Sequence, residues 1–241
     1  MNNIAIIGGS DGPTAIYMTG DTGIVGEMLN LCGGADKTAL WMYTAITVVI
    51  VLAAYFVGNI SPSTILAKQQ GIDIKKEGSG NAGTTNALRV MGKKAGAVTL
   101  IIDVLKGLLS VVLAGLLCGQ SCAMFCVIAV MLGHIWPVLY KFKGGKGVAT
   151  AFGAVAGLNI LVALCALGVL IVGVLISKRM SVGSMLAALS FPVFCWFLEP
   201  DFIYLACVLA LVILIKHRAN LVRLLHGEEP KLSFFDKEKR K

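Results

Sequence analysis

The sequence predicts an all-α polytopic membrane protein: a bundle of seven transmembrane helices with its N-terminus outside and its C-terminus cytoplasmic. Three observations predict it. The 241 residues are 57% hydrophobic and 14% charged, with a mean hydropathy of +0.84, against about 45–50% apolar and about 25% charged in a soluble domain. Apolar runs recur at 41–60, 95–118, 121–140, 148–177, 182–198 and 202–216, and about 20 helical residues cross a bilayer core about 30 Å thick. The 21 lysines and arginines, which give a net charge of +8, gather between those runs. Together these exclude a soluble globular enzyme, a disordered chain and a nucleic-acid-binding module.

Residues 1–40 carry Asp11, Asp21, Glu27, Asp36 and Lys37, with no basic stretch ahead of an apolar core. They read as an external N-terminal extension rather than a cleavable signal. The runs 41–60, 95–118 and 121–140 each suit one crossing. The run 148–177 does not, because a helix of that length would be about 45 Å long. As a single span it would place Lys178 and Arg179 opposite Lys141, Lys143 and Lys146. Bent back at 157–159, it puts 68–94, 141–146, 178–179 and everything from Lys216 on one side. That side then holds 19 of the 21 basic residues; Lys106 enters the second span from it, and only Lys37 lies opposite. The positive-inside rule selects this arrangement, and with it seven spans. The piece 148–158 is then about 16 Å long as a helix, half-inserted or tilted rather than upright. Runs 182–198 and 202–216 complete the bundle, ahead of a charged cytoplasmic tail at 230–241. Trp41, Trp136 and Trp196 fall near span ends, as an interfacial belt requires. Six of the seven cysteines lie in or beside apolar runs without a CxxC pair, and read as small buried hydrophobes.

The unusual polar sequence lies on the basic side, in three segments. GSGNAGTTNALR at 78–89 places Gly78, Gly80 and Gly83 among small polar residues, a composition that turns tightly and aims N–H groups at an anion. Thr84, Thr85 or Asn86 is placed to cap a following helix, and Arg89 offers a planar fork for phosphate. An ordinary glycine-rich connector is the plain alternative. FKGGKGVAT at 142–150 surrounds Lys146 with Gly144, Gly145 and Gly147. It departs from the GxxxxGK[ST] pattern, yet backbone donors and one mobile charge suit an anion. The alternative here is that Lys141, Lys143 and Lys146 anchor the loop to headgroups. HRANLVRLLHGEE at 217–229 spaces Leu221, Leu224 and Leu225 for an interfacial helix, with His217 and Asn220 sharing another face.

Asp103 and Lys106 sit three apart on one face of the second span, and charges at such depth pair or face a polar interior; a structural ion pair is expected. His134 reads as a hydrogen-bonded bundle residue. With no HExxH and no Cys/His cluster, no metal site is expected.

The three segments, in this order, resemble the membrane acyl-phosphate:glycerol-3-phosphate acyltransferases of bacterial phospholipid synthesis. GSGNAGTTNALR is similar to the family's GSGNxGATNxxR, with Thr84 where Ala is usual. GHIWPVLYKFKGGKGVAT at 133–150 is similar to its second motif, and HRANLVRLLHGEE to HRxNIxRLxxGxE, with Leu221 for Ile. The resemblance spans about 59–229, within a membrane domain at 41–229. Residues 1–40 lie outside it.

The resemblance implies a seven-helix bundle in the bacterial plasma membrane, with its active site at the cytoplasmic face and no cofactor. It implies transfer of a fatty acyl group from acyl phosphate to the 1-hydroxyl of glycerol 3-phosphate, giving lysophosphatidic acid and phosphate. It places Gly144, Gly145, Lys146 and Gly147 on glycerol 3-phosphate, with Gly78, Gly80 and Gly83 in the first anion loop. Ser79, Arg89 and Asn220 would bind phosphate or orient the nucleophile. His217 would be a base or an organiser of the third motif, Glu229 a brace, and Ser181 and Ser184 weaker candidates at the same surface. Position five after His134, His217 and His226 is Leu139, Val222 and Lys231, so the HxxxxD dyad of the other large acyltransferase family is missing. The rival reading is a transporter for a phosphorylated metabolite. Transporter sites usually lie at the midplane in repeated halves, and neither feature is visible here.

Overall fold

The computed structural model describes residues 3–9, 12–19, 21–31 and 37–232. Strands β1 (Asn3–Gly9) and β2 (Gly12–Thr19) pair antiparallel, from Asn3↔Thr19 to Gly9↔Gly12. Helices α1 (Gly23–Leu31), α2 (Lys37–Gly58), α3 (Pro62–Gln69), α4 (Thr84–Ile135), α5 (Val148–Leu158), α6 (Ile160–Ser177), α7 (Met180–Leu198), α8 (Ile203–Lys216) and α9 (Arg218–Leu225) follow. The hairpin is the one departure from helical structure among the described elements, and it lies in the extension.

By length and hydropathy, Thr38–Gln69, Thr84–Tyr140, Ile160–Ser177 and Met180–Leu198 can each cross a membrane. The pair Pro200–Lys216 and Arg218–Leu225, bent by 54°, makes a fifth candidate. Large apolar side chains cover their outer faces, among them Val49, Leu113, Phe125, Ile176 and Phe197. Such a surface suits lipid and would not survive in water. The chain is a multi-pass membrane protein.

Helix α4 is not one rod. Gly92 (φ +85) and Gly119 (φ +74) interrupt it in conformations that only glycine takes without strain. At Gly119 the chain turns back on itself. Residues 28 apart in a straight helix would be about 42 Å apart, yet Lys106 Nζ lies 2.9 Å from His134 Nδ1. Legs 93–117 and 120–135 therefore pack side by side. The chain also breaks at Asn159. This residue ends α5 and caps α6, its Oδ1 accepting from the N–H groups of Leu161 and Val162 at 2.9 and 3.1 Å. Its Nδ2 donates to Glu199 Oε1 at 2.7 Å, tying that corner to the end of α7.

The helices meet through small residues, as tight packing between membrane helices requires. Gly58 of α2 lies against Gly133 of α4, where a Cβ on Gly133 would come within 3.1 Å of the Gly58 Cα and collide with the Tyr55 carbonyl. The core between α2, α4, α5, α7 and α8 includes Val111, Val127, Met131, Ala154, Phe202 and Leu209. Above it, the ends of α4, α5, α7 and α8 enclose the site.

Candidate active site

A cavity of about 340 Å³ opens among the N-terminal ends of α4, α5 and α7 and the α8–α9 junction. Its mouth is polar, with Ser79, Arg89, Lys146, His217, Asn220 and Glu229 in the lining; deeper in, Phe152, Val155, Ala163, Leu167, Phe191 and Leu209 make an apolar slot. Residues from all three sequence motifs thus share one wall, although Ser79 of the first and His217 of the third are more than 130 positions apart in the chain.

The first motif folds around Asn86. Its Oδ1 accepts from the Ser79 N–H at 2.9 Å, and its Nδ2 donates to the carbonyls of Ile74 and Glu77 at 3.2 and 3.0 Å. Gly78 (φ +60) and Gly80 (φ +68) are left-handed, and a Cβ on Gly78 would strike Asn86 Oδ1. These two glycines shape the loop, whereas Ser79 and Gly83 line the cavity. The cap of α4 is Gly83, in an extended conformation. The expected cap at residues 84–86 is corrected: Asn86 lies inside the first turn and reaches back to the loop. Arg89, one turn further on, is half-buried in the cavity wall.

The second motif divides by role. Gly144 N–H donates to the Ile135 carbonyl (3.2 Å) and Gly145 N–H to that of His134 (3.1 Å). Neither amide is open to a phosphate. A Cβ on either glycine would collide with the end of α4, so their place in the site is close packing. Gly147, left-handed (φ +84), caps α5 and lines the cavity with Val148 and Ala149. First-turn amides of a helix lack intrahelical acceptors and favour an anion. Lys146 extends from this loop and donates to Asn220 Oδ1.

In the third motif, Glu229 is a hub. Its Oε1 accepts from Ser181 Oγ and from Asn220 Nδ2, each at 2.6 Å; its Oε2 pairs with Arg223 Nε at 2.9 Å; its carbonyl accepts from Arg179 Nε at 2.9 Å. His217 is buried at the break between α8 and α9, and its Nδ1 donates to the Ile213 carbonyl at 2.8 Å. Because a carbonyl only accepts, Nδ1 carries the proton and Nε2 keeps a lone pair.

The ionisation states follow from these surroundings. Burial, and then the positive charges of Arg223, Arg89 and Lys216, lower the Lys146 pKa to about 8, against the pull of Glu229. Burial and the Lys146 charge lower His217 to about 4, so its imidazole is neutral at pH 7. Burial alone would raise Glu229; bonds from Ser181, Asn220 and Arg223 outweigh it and hold the carboxyl below its ordinary range. The mouth therefore presents two arginines, a lysine of adjustable charge, and three helix N-termini around one carboxylate already bonded from three sides.

Asp103 and Lys106 pair at 2.7 Å, with His134 Nδ1 3.3 Å from the same Asp103 oxygen; Asp103 and His134 face the cavity. Arg223 was not singled out in the sequence, and His134, read there as a hydrogen-bonded bundle residue, is bonded as expected but faces the cavity as well. Arg223 is three residues after Asn220, so one helix face carries both, and that spacing was the available signal. His134 had none beyond its motif, because its partners come from the other leg of a folded-back helix.

This arrangement is a membrane-embedded site with a cationic, polar mouth and an apolar slot. A glycerol-3-phosphate acyltransferase family model matches residues 48–227, and the chain belongs to that family. A glycerol-3-phosphate acyltransferase of Shewanella oneidensis is 40% identical over 191 residues, covering 78% of this chain and 94% of that protein. One from Shewanella sediminis is 43% identical over 192 residues, covering 79% and 96%. The fold is similar to that of PlsY, an integral membrane glycerol 3-phosphate acyltransferase. Its glycerol 3-phosphate form superposes with a TM-score of 0.75 at 34% identity, over 79% of this chain and 99% of that one. Its lysophosphatidic acid form gives 0.72 at 35%, over 77% and 94%.

Proposed function

We propose that this protein moves a fatty acyl group from acyl phosphate to the 1-hydroxyl of glycerol 3-phosphate, releasing lysophosphatidic acid and phosphate. The observation that carries the reading is the continuity of the cavity: a cationic mouth opens into an apolar slot, in a chain of this family. The slot takes the acyl chain, and the mouth takes two phosphates. The glycerol hydroxyl attacks the acyl carbonyl carbon, the bond from that carbon to the phosphate oxygen breaks, and the electron pair leaves with phosphate. The hydroxyl proton passes to a phosphate oxygen or to His217 Nε2.

Lys146 and the first turn of α5 hold the phosphate of glycerol 3-phosphate. Ser79, Arg89 and the first turn of α4 hold that of the donor. Asn220, braced by Glu229, orients Lys146. An acyl phosphate is an activated mixed anhydride, so alignment and charge neutralisation supply most of the acceleration.

The same reading sets the topology. Counting α2, the two long legs of α4, α5, α6, α7 and α8 gives seven membrane segments in a domain at 41–229, with the mouth and the C-terminus on the cytoplasmic side of a bacterial plasma membrane. Labelling of Ser177→Cys from the periplasmic side of intact cells would contradict it. The activity is tested on purified protein given glycerol 3-phosphate and either acyl phosphate or an acyl thioester. Lysophosphatidic acid formed from the first donor alone is the expected result. Turnover with the thioester alone would refute the donor assignment.

A further inference from the structure

Asp103, Lys106 and His134 form a charged cluster that the proposed acylation does not use. They are only 1%, 5% and 6% exposed. Besides Asp103 (2.7 Å) and His134 Nδ1 (2.9 Å), Lys106 Nζ reaches the carbonyls of Gly58 (3.1 Å) and Ile60 (2.6 Å). The cluster therefore ties the end of α2 to both long legs of α4. Ionisable groups so deep cost free energy even when paired, and apolar residues would join these helices more cheaply.

The cluster also reaches the glycine loop. Beyond accepting the Gly145 N–H at 3.1 Å through its carbonyl, His134 lays its ring across Gly145: a Cβ there would stand 3.0 Å from Cε1 and collide with Nε2. Gly145 is thus held by the main chain and by the imidazole of one residue, and the next residue is Lys146. Asp103 and Lys106 hold the ring through Nδ1, while Lys146 has four rotatable side-chain bonds and, among the described residues, one hydrogen-bond partner, Asn220.

We propose that His134, held by Asp103 and Lys106, is a positioning residue for Lys146, setting the backbone from which the ammonium reaches a substrate phosphate. The inference rests on the reading of Lys146 as a phosphate-binding residue. A phosphate contact displaced by a fraction of an ångström loses much of its value, so the effect belongs in substrate binding.

The test is a double-mutant cycle on glycerol 3-phosphate KM and kcat, with His134→Ala, Lys146→Ala and the double variant, each checked for a cooperative thermal transition in detergent. His134→Ala is expected to raise KM at least about fivefold with kcat within about threefold, and to add less than about twofold on a Lys146→Ala background. A structural role would multiply through in full, and full multiplication overturns the inference; so does an unchanged KM in folded His134→Ala. Lys146→Ala with an unchanged KM is a different failure: it removes the phosphate role of Lys146 and the inference with it. Should His134→Ala not fold, His134→Asn keeps a polar atom facing Asp103 and Lys106 but places no ring over Gly145, and the same criteria apply.

Discussion

Asn220 donates through Nδ2 to Oε1 of Glu229 at 2.6 Å, while its own oxygen accepts from Lys146. One side chain thereby joins the second motif to the third. An asparagine suits the place because it offers a donor and an acceptor on opposite sides of one short, rigid amide. Glu229 fixes which side is which, since a carboxylate can only accept.

Glu229→Gln should loosen this junction. The variant keeps one acceptor oxygen but turns an NH₂ group towards donors on Asn220, Ser181 or Arg223. Losing one charge-assisted bond costs about 1.5–3 kcal/mol, so kcat/KM should fall at least about tenfold. The pH dependence has a definite sign. Because the folded carboxyl titrates below the ordinary glutamate range, its stabilisation is present above that range and is lost as pH falls through the lower, folded value. Thermal midpoints between pH 7 and pH 3 should drop more steeply for the wild type than for Glu229→Gln. Parallel curves would show that the hub contributes no stability.

Lys146 should set an alkaline limb. Its pKa near 8 means that the ammonium is lost as pH rises through that value, and kcat/KM reports ionisations of the free enzyme. The wild-type profile should decline above about pH 8, and Lys146→Arg, charged throughout, should lose that limb even if its plateau is lower. His217, at about 4, should contribute no limb near the usual imidazole value. An acid limb near pH 6.5 that vanished in His217→Gln would contradict its assigned environment.

Gly133→Ala should unfold or severely weaken the bundle. The added methyl meets the main chain of α2 at Tyr55 and Gly58, which cannot yield as a side chain can. Overpacking costs about 1–3 kcal/mol, and here it also shifts Gly58, whose carbonyl accepts from Lys106. Gly168→Ala is the comparison: no atom lies near its new methyl, and a helix gains about 0.5–1 kcal/mol from the exchange. Thermal stability in detergent should fall for the first and hold or rise for the second.

The sequence and the structure agree where one-dimensional signals are strong. Hydropathy marks the apolar stretches, and charge places a break at Asn159, where the chain does turn. The three motifs, each legible as polar sequence in an apolar chain, meet in one cavity. The extension was not legible, since a hairpin at 3–19 depends on pairing rather than on hydropathy. Individual roles were harder still. Gly144 and Gly145 look identical to Gly147 in the motif, yet their amides bind carbonyls of α4, and only folding back of the chain decides that. The Asp103–Lys106 spacing was readable on one helix, whereas the third member, His134, lies 28 residues beyond Lys106. No local pattern carries a contact made across the turn at Gly119.

Arg89 gives the sharpest test of the first motif. It is half-buried in the cavity wall one turn after Asn86, and its charge is felt at Lys146. A guanidinium at a membrane surface can simply reach lipid phosphates along its apolar stem, and lysine would then replace it with little loss. Gripping a substrate phosphate through two parallel N–H bonds is different, because lysine keeps the charge and loses the planar fork. Arg89→Lys should therefore lose at least about tenfold in kcat/KM, about 1.4 kcal/mol, while folding normally. Arg218, exposed at the start of α9, is the internal comparison, and Arg218→Lys should lose much less. Small, equal losses from both would mean that charge alone matters at residue 89. The bidentate assignment would then fall, while the acyltransferase reading would remain open to its own assay.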